Sequence, residues 1–172
     1  WMIYLALLCA LASAPESTIE HADSFIGSFL YADTENGDKA IVAAIELATE
    51  ELNFVVRPLA RAKLKENNAA PKTVSIRREG VKLLLETPSR SWATDLFSKP
   101  LTISLPGGRT GLVSKTLDGN SLVEVIQVAQ TTRENRYSLS GNGSELQVQV
   151  NIVTPRLTKP IYYELTYARV PK

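Results

Sequence analysis

The chain has 172 residues, of which 44% are hydrophobic and 22% are charged, and this length and composition suit one globular domain with its own core. A formal net charge of +1 argues against a chain that binds nucleic acid or an anionic membrane surface, and the sequence holds no nucleic-acid-binding motif. One domain, without a second, is therefore expected.

The charge is unevenly distributed along the chain. Residues 1 to 55 contain nine acids and one lysine, whereas the rest of the chain carries a surplus of basic residues. The densest basic run lies between Arg57 and Arg78. It suits either a solvated helix end with its loop or a basic opening that attracts anionic ligands.

The first twelve residues, WMIYLALLCALA, form an apolar run that ends in small residues. Ala10 and Ala12 suit signal-peptidase cleavage after Ala12, so residues 1 to 12 are predicted to be a signal peptide and residues 13 to 23 a polar lead-in. The run is too short for an ordinary transmembrane helix. A buried amino-terminal helix is the alternative.

The single cysteine, Cys9, lies inside this segment, so the mature chain is expected to have neither a thiol nor a disulfide. An exported domain of this kind suits a bacterial periplasm or the cell exterior. No stable membrane insertion is expected after cleavage.

The next segments predict one strand followed by two helices. The apolar stretch from Ser24 to Ala32 suits a short strand. From Asp38 onward, apolar residues recur at spacings of three and four through Leu52 and Val55, which predicts an amphipathic helix. Pro58 suits the first turn of a second helix with Leu59 on its apolar side, so a helical pair is expected at 38 to 67.

From Lys72 onward the sequence alternates in short runs separated by turn residues. The connections are mostly too short for parallel crossovers, so the strands form an antiparallel meander, which closes into a barrel when it is this long. The expected fold is α+β, mainly β, with about eight to ten strands. Strands are predicted near 73 to 78, 81 to 86, 101 to 105, 110 to 117, 122 to 128, 135 to 140, 145 to 153 and 161 to 169.

This order of elements, together with Gly27-Ser28-Phe29 on the first strand and Arg169 on the last, resembles the calycin superfamily of lipocalins and fatty-acid-binding proteins. The helical pair after the first strand is most similar to the fatty-acid-binding branch. The resemblance covers residues 24 to 170 and implies a barrel in which Gly27, Phe29 and Arg169 close one end. Phe29 stands where the family carries tryptophan, and a cation packs less strongly on a phenyl ring than on an indole.

The last strand indicates what the barrel would enclose. Its alternate residues are Ile161, Tyr163, Leu165, Tyr167 and Arg169, an apolar row that ends in polar groups. A guanidinium and tyrosine hydroxyls inside an apolar cavity suit a carboxylate. The candidate ligand-binding residues are Arg78, Trp92, Tyr137, Tyr163, Tyr167 and Arg169.

Each of these candidates also has a structural interpretation. Arg169 would close the barrel over Phe29, Arg78 would reach water from a turn, and the tyrosines would fill the interior. Trp92, in a polar link, suits either a lid or ordinary packing.

The resulting expectation is an exported binding protein for a small hydrophobic, fatty-acid-like ligand, with neither a cofactor nor a metal site. His21 is the only histidine and precedes the first strand, which disfavours histidine-dependent catalysis or a site that needs two imidazoles. The main alternative is a filled barrel that binds another envelope or extracellular protein through its charged surface. An enzyme that uses tyrosine, lysine or paired carboxylates remains a third interpretation.

Overall fold

The computed structural model describes residues 21–80, 82–96, 99–105 and 107–171. The predicted signal peptide, Cys9 and most of the polar lead-in lie outside these residues.

Within the described residues the chain forms ten strands and two long helices, joined by short connections. The elements are β1 (Gly27–Tyr31), α1 (Thr34–Ala48), α2 (Arg57–Asn67), β2 (Thr73–Glu79), β3 (Lys82–Thr87), β4 (Arg90–Asp95), β5 (Leu101–Leu105), β6 (Arg109–Asp118), β7 (Ser121–Val128), β8 (Thr131–Leu139), β9 (Glu145–Val153) and β10 (Ile161–Arg169). Among the described helices, none has the length and apolar character needed to cross a bilayer.

All ten strands belong to one antiparallel sheet in the order β4-β3-β2-β1-β10-β9-β8-β7-β6-β5. The first strand pairs with the last, with Phe29 opposite Arg169. A parallel bridge between Leu96 and Lys115 spans the remaining seam. The sheet is therefore a nearly closed barrel, which confirms the expected mainly β, α+β fold.

Strand alternation places the core inside this barrel. On β10, Ile161, Tyr163, Leu165 and Tyr167 are buried, whereas Tyr162 between them is half exposed. The facing row on β9 is Leu146, Val148, Val150 and Ile152, which is also buried. The two apolar rows predicted from the sequence thus both face the interior.

The first helix begins earlier than predicted because Asp33, not Asp38, caps it. The Asp33 carboxylate accepts a hydrogen bond from the backbone N–H of Asn36 at 3.4 Å. Buried Thr49 follows the last helical residue, so the predicted continuation through Leu52 and Val55 is wrong.

Gly37 lets the helix approach the first strand closely. A Cβ at this position would lie 2.0 Å from the Tyr31 hydroxyl oxygen. Glycine thus permits contact between α1 and the end of β1 that a side chain would block.

The second helix has no buried residue and reaches the core through one partly buried side chain, Leu64. Pro58 occupies its first turn, as predicted, but Leu59 is 75% exposed, so its predicted apolar side does not face the barrel. No residue of α2 is buried. Polar contacts also attach it: Arg61 donates to the Thr49 hydroxyl at 2.9 Å, and Asn68, which caps its carboxyl end, is buried.

The sequence interpretation missed β4 and the first four residues of β8, for one physical reason. Arg90 and Trp92 alternate along β4, and Arg133 and Asn135 alternate along β8, where an apolar pattern would mark the inner face. A strand whose inward residues are polar lacks the apolar alternation by which a strand is predicted from sequence. Residues 90 to 95, predicted to be part of a polar link, therefore form a strand.

Candidate ligand-binding site

A small cavity lies inside the barrel. Its volume of about 20 Å³ holds roughly one water molecule. Its wall combines apolar side chains with two arginines, and its lining residues are Pro71, Val74, Thr87, Arg90, Arg133, Asn135, Tyr137, Val148, Val150, Leu165 and Tyr167.

Arg133, which projects from β8 into this wall, makes hydrogen bonds to three neutral side chains among the described residues. It donates from Nε to Asn135 Oδ1 at 2.9 Å, from Nη1 to Asn68 Oδ1 at 3.0 Å and from Nη2 to the Tyr163 hydroxyl at 3.2 Å. Among the described residues, Arg133 forms no ion pair. Its positive charge is therefore not neutralised by a neighbouring carboxylate.

The second arginine of the wall, Arg90 on β4, lies near the one carboxylate of the cluster. Its Nη2 is 3.8 Å from Oε2 of Glu124, which is fully buried. The same oxygen accepts from Asn135 Nδ2 at 2.9 Å and from the Tyr137 hydroxyl at 3.3 Å. Glu124 thus serves as an internal counter-ion.

Lys115 on β6 completes the cluster at the seam of the barrel. Its Nζ donates to the Leu83 carbonyl at 3.3 Å, the Trp92 carbonyl at 2.9 Å and the Thr94 hydroxyl at 3.0 Å. Burial lowers the pKa of Lys115, and Glu124, whose Oε1 is 3.8 Å away, opposes that effect. Three acceptors match the three donors of an ammonium group, so Lys115 fastens β3 and β4 to β6.

Tyr137 and Tyr167 keep their protons at neutral pH, because the pKa of each is raised. Burial raises the pKa of Tyr137, and the nearby Glu124 carboxylate raises it further. Burial likewise raises the pKa of Tyr167, with a smaller contribution from Tyr31. The neutral Tyr167 hydroxyl can donate a hydrogen bond to an anion, whereas the Tyr137 hydroxyl already donates to Glu124 Oε2.

Of the residues predicted from the sequence to bind a ligand, the structure brings the three tyrosines to the interior. Tyr137 and Tyr167 line the cavity, and the hydroxyl of Tyr163 accepts a hydrogen bond from Arg133. Trp92 is partly buried against a second apolar cluster of Ile103, Val113 and Ile126. That position fits the packing interpretation of Trp92, with Arg90 stacked 5.5 Å from its ring centroid.

Arg169 lies at the closed end of the barrel, away from the cavity wall. Its guanidinium carbon is 4.6 Å from the centroid of the Phe29 ring. Its nitrogens donate to the carbonyls of Gly143 at 2.6 Å, Ile26 at 2.7 Å and Ser24 at 2.9 Å. A Cβ on Gly27 would lie 2.5 Å from Nη1 of this arginine. The structure thus brings Gly27, Phe29 and Arg169 together at one end of the barrel.

The structure does not bring Arg78 to the cavity. Its side chain is one-third exposed, pairs with Asp23 at 2.7 Å and donates to the Gly80 carbonyl at 2.8 Å. Val74 and Ile76 are the buried residues of β2, and Arg78 lies beyond them in the exposed part of the strand.

Sequence interpretation overlooked the charged cluster itself, namely Asn68, Arg90, Lys115, Glu124, Arg133 and Asn135. The alternation pattern of β8 could have identified two members of this cluster. Arg133 and Asn135 share the parity of Tyr137 and Leu139, so extending that alternation backward along β8 would have placed both on the inner face.

No family model matches the sequence, and no curated protein matches it significantly. Solved structures do match in fold. A secretory abundant heat soluble protein from Ramazzottius varieornatus is 17% identical with a TM-score of 0.56, covering 86% of this chain and 96% of that one. Fatty-acid-binding protein 1 from Echinococcus granulosus is 16% identical with a TM-score of 0.54, covering 87% and 99%.

The fatty-acid-binding protein of Schistosoma mansoni, solved in complex with arachidonic acid, is 14% identical with a TM-score of 0.52 and covers 88% of this chain and 99% of that one. These identities establish the architecture alone. The sheet order, the helical pair after the first strand and these matches together show a calycin-like barrel of the fatty-acid-binding-protein type.

Proposed function

We propose that the protein binds a small hydrophobic ligand with an anionic head group inside its barrel and performs no chemistry on it. The observation that carries this proposal is Arg133, a guanidinium on the cavity wall whose hydrogen bonds within the described part of the chain all go to neutral acceptors. The fold supports the proposal, because fatty-acid-binding proteins are among the solved structures that share it.

The physical argument concerns charge, not hydrogen-bond number. Asn68, Asn135 and Tyr163 satisfy the donors of Arg133, but they supply no negative charge. A partly buried guanidinium such as that of Arg133 is stabilised more by an anion than by neutral acceptors, and a carboxylate accepts two parallel hydrogen bonds from it. A ligand carboxylate is therefore a better partner for Arg133 than the side chains it now contacts.

Ligand binding requires the barrel to open, since the cavity of about 20 Å³ is far smaller than a fatty acid. The helix α2 is the element best suited to move, because none of its residues is buried. Asn68, at its carboxyl end, bonds directly to Arg133 at 3.0 Å. Displacing this end of α2 would free the arginine and expose the interior together.

The first test is native mass spectrometry of the purified protein, followed by organic extraction and analysis of what is released. An acid or lipid bound in a defined ratio is the expected result. A clean mass, with no fluorescence enhancement of an apolar probe, would contradict the proposal.

A second test assigns the anionic contact. Displacement of a fluorescent apolar probe by dodecanoate and by dodecanol is measured for the wild type and for Arg133→Gln. Arg156→Gln, at an exposed position, is the matched control. Arg133→Gln should weaken dodecanoate about tenfold or more, the loss of one charge-assisted hydrogen-bonded pair, and leave dodecanol unchanged. Equal losses for both ligands would remove Arg133 from the site.

The second candidate function is a filled barrel that binds another protein, and the small cavity favours it. A surface groove of about 550 Å³ offers a place for such contact, lined by Glu46, Phe54, Arg57, Pro58, Arg61, Ala62 and Lys65. Phe54 is 79% exposed beside three basic side chains. An acidic partner would then be expected, and its complex should weaken as salt increases.

We also propose that the protein is exported to the periplasm or the cell exterior, on the basis of the apolar run at residues 1 to 12 and its small residues before the predicted cut. Amino-terminal sequencing of the product from an expressing cell tests this. A mature chain that begins at Ser13 is expected. Retention of residues 1 to 12 in a folded product would contradict export by cleavage.

A further inference from the structure

We propose that the preferred head group is a dianion of the phosphate monoester class and not a monocarboxylate. This inference rests on the proposed function and specifies the chemistry of the same site. It is carried by two arginines that line one cavity and by the shortage of negative charge around them.

The charge balance of the cluster is the first step. Three cations meet there, Arg90, Lys115 and Arg133, whereas Glu124 is the only carboxylate within 4.0 Å of any of them among the described residues. Glu124 lies 3.8 Å from both Arg90 and Lys115. One negative charge shared between two cations, with a third left over, leaves a surplus of two positive charges.

The geometry of the cavity wall is the second step. Arg90 and Arg133 reach the same cavity from β4 and β8, on opposite sides of the seam. Both act electrostatically on Tyr137 and Tyr167, which line the same cavity. An anion placed in the cavity would therefore meet two guanidinium groups and the hydroxyl donor of Tyr167, whereas the Tyr137 hydroxyl donates to Glu124.

The valence of the ligand follows from these two steps. A monocarboxylate has two oxygens and one negative charge, so it would pair fully with one arginine and leave one of the two surplus positive charges unneutralised. A phosphate monoester has three terminal oxygens and about two negative charges above its second pKa of about 6. It can satisfy Arg90 and Arg133 together and bring the cluster to neutrality.

The experiment compares ligands that share one dodecyl chain. Dodecyl phosphate, its methyl diester, dodecanoate and dodecanol are titrated separately into the full chain by calorimetry at about pH 8, below their micelle concentrations. The methyl diester keeps the phosphate shape but carries one charge. We expect the monoester to bind about tenfold or more tightly than the diester and the carboxylate, as one further charge-assisted contact predicts.

Acidification gives an internal control. At about pH 5 the monoester becomes a monoanion, so its advantage over the diester should disappear. Arg90→Gln and Arg133→Gln should each reduce the same advantage, and Arg156→Gln should preserve it. Inorganic phosphate is included as a competitor to separate a lipid head group from a free phosphate site, and it should compete only at a large excess.

The outcomes distinguish this inference from the function beneath it. Equal or tighter binding of dodecanoate than of the monoester would overturn the dianion proposal and leave an anionic lipid site. Binding of dodecanol as tight as that of all three acids would overturn both the dianion and the anionic site. Failure of every dodecyl compound to bind would overturn the proposed function itself.

Discussion

Arg133 and Arg169 are two arginines of one barrel with opposite surroundings. Arg169 packs on Phe29 and donates to three backbone carbonyls at the closed end. Arg133 lies on the cavity wall and bonds to two side-chain amides and a hydroxyl.

The difference lies in what each partner can do. Backbone carbonyls are fixed by the sheet and its turns, so a ligand could replace them only by breaking the fold. Side-chain acceptors can rotate away, and one of them, Asn68, caps a helix that has no buried residue. Arg169 is thus positioned for stability and Arg133 for exchange of partners.

The largest expected effect is on the closed end. Phe29→Ala removes a fully buried ring beneath Arg169 and should lower the free energy of unfolding by about 3 to 5 kcal/mol, measured by urea denaturation. Phe54→Ala, at a 79% exposed position, is the matched control and should change stability by less than about 0.5 kcal/mol. Similar losses for both variants would mean that Phe29 does not close the barrel.

Breaking the ionic cluster should have the next largest effect. Lys115→Met leaves Glu124 buried with Arg90 as its nearest cation, so we expect a loss of about 3 kcal/mol or more. The double variant with Glu124→Gln should lose less than the two single variants together, because the attraction between Lys115 and Glu124 is lost in each single variant and is counted once in the double variant. Strict additivity in this cycle would show that the two groups do not interact.

The two arginines themselves give the sharpest comparison. Arg169→Gln should cost about 1 to 3 kcal/mol of stability, from lost charge-assisted bonds to carbonyls, and should weaken dodecanoate and dodecanol equally. Arg133→Gln should weaken dodecanoate selectively. A selective loss of dodecanoate in Arg169→Gln would instead support the ligand contact predicted for Arg169 from the sequence.

The smallest effect concerns alkaline pH. Burial raises the pKa of Tyr137 above its ordinary value of 10.0, so its hydroxyl ionises in the unfolded chain before it does so in the folded one. The contribution of Tyr137 to the free energy of unfolding is complete below about pH 10. It is lost as the pH rises above that value, at about 1.4 kcal/mol per pH unit. Tyr137→Phe should flatten this slope in urea titrations between about pH 10 and 12. An unchanged slope would exclude Tyr137 as its source.

The parts of the fold that sequence could predict are those where the interior is apolar. Leu146, Val148 and Val150 alternate with polar residues on β9, and the matching row on β10 allowed both strands to be placed. Where the interior is charged, the same rule fails. Arg90 and Arg133 have the composition of a surface segment, so β4 and the start of β8 were missed.

The cluster also depends on register, which local sequence does not encode. Asn135 faces Val150, and Val150 in turn faces Tyr163, so the approach of Tyr163 to Arg133 follows from pairing across three strands. Loop lengths and the closed sheet set that pairing. Arg169 was easier to place because the resemblance to a family supplied its partner, Phe29.

The most direct test of the contrast between the two arginines is the Nε–H signal of each guanidinium in an NMR titration with dodecanoate. We predict that the Arg133 signal shifts in proportion to the bound fraction, because its acceptors change, while the Arg169 signal stays fixed over Phe29. A shift of Arg169 with Arg133 unmoved would contradict the account, and so would saturation by ligand that moves neither.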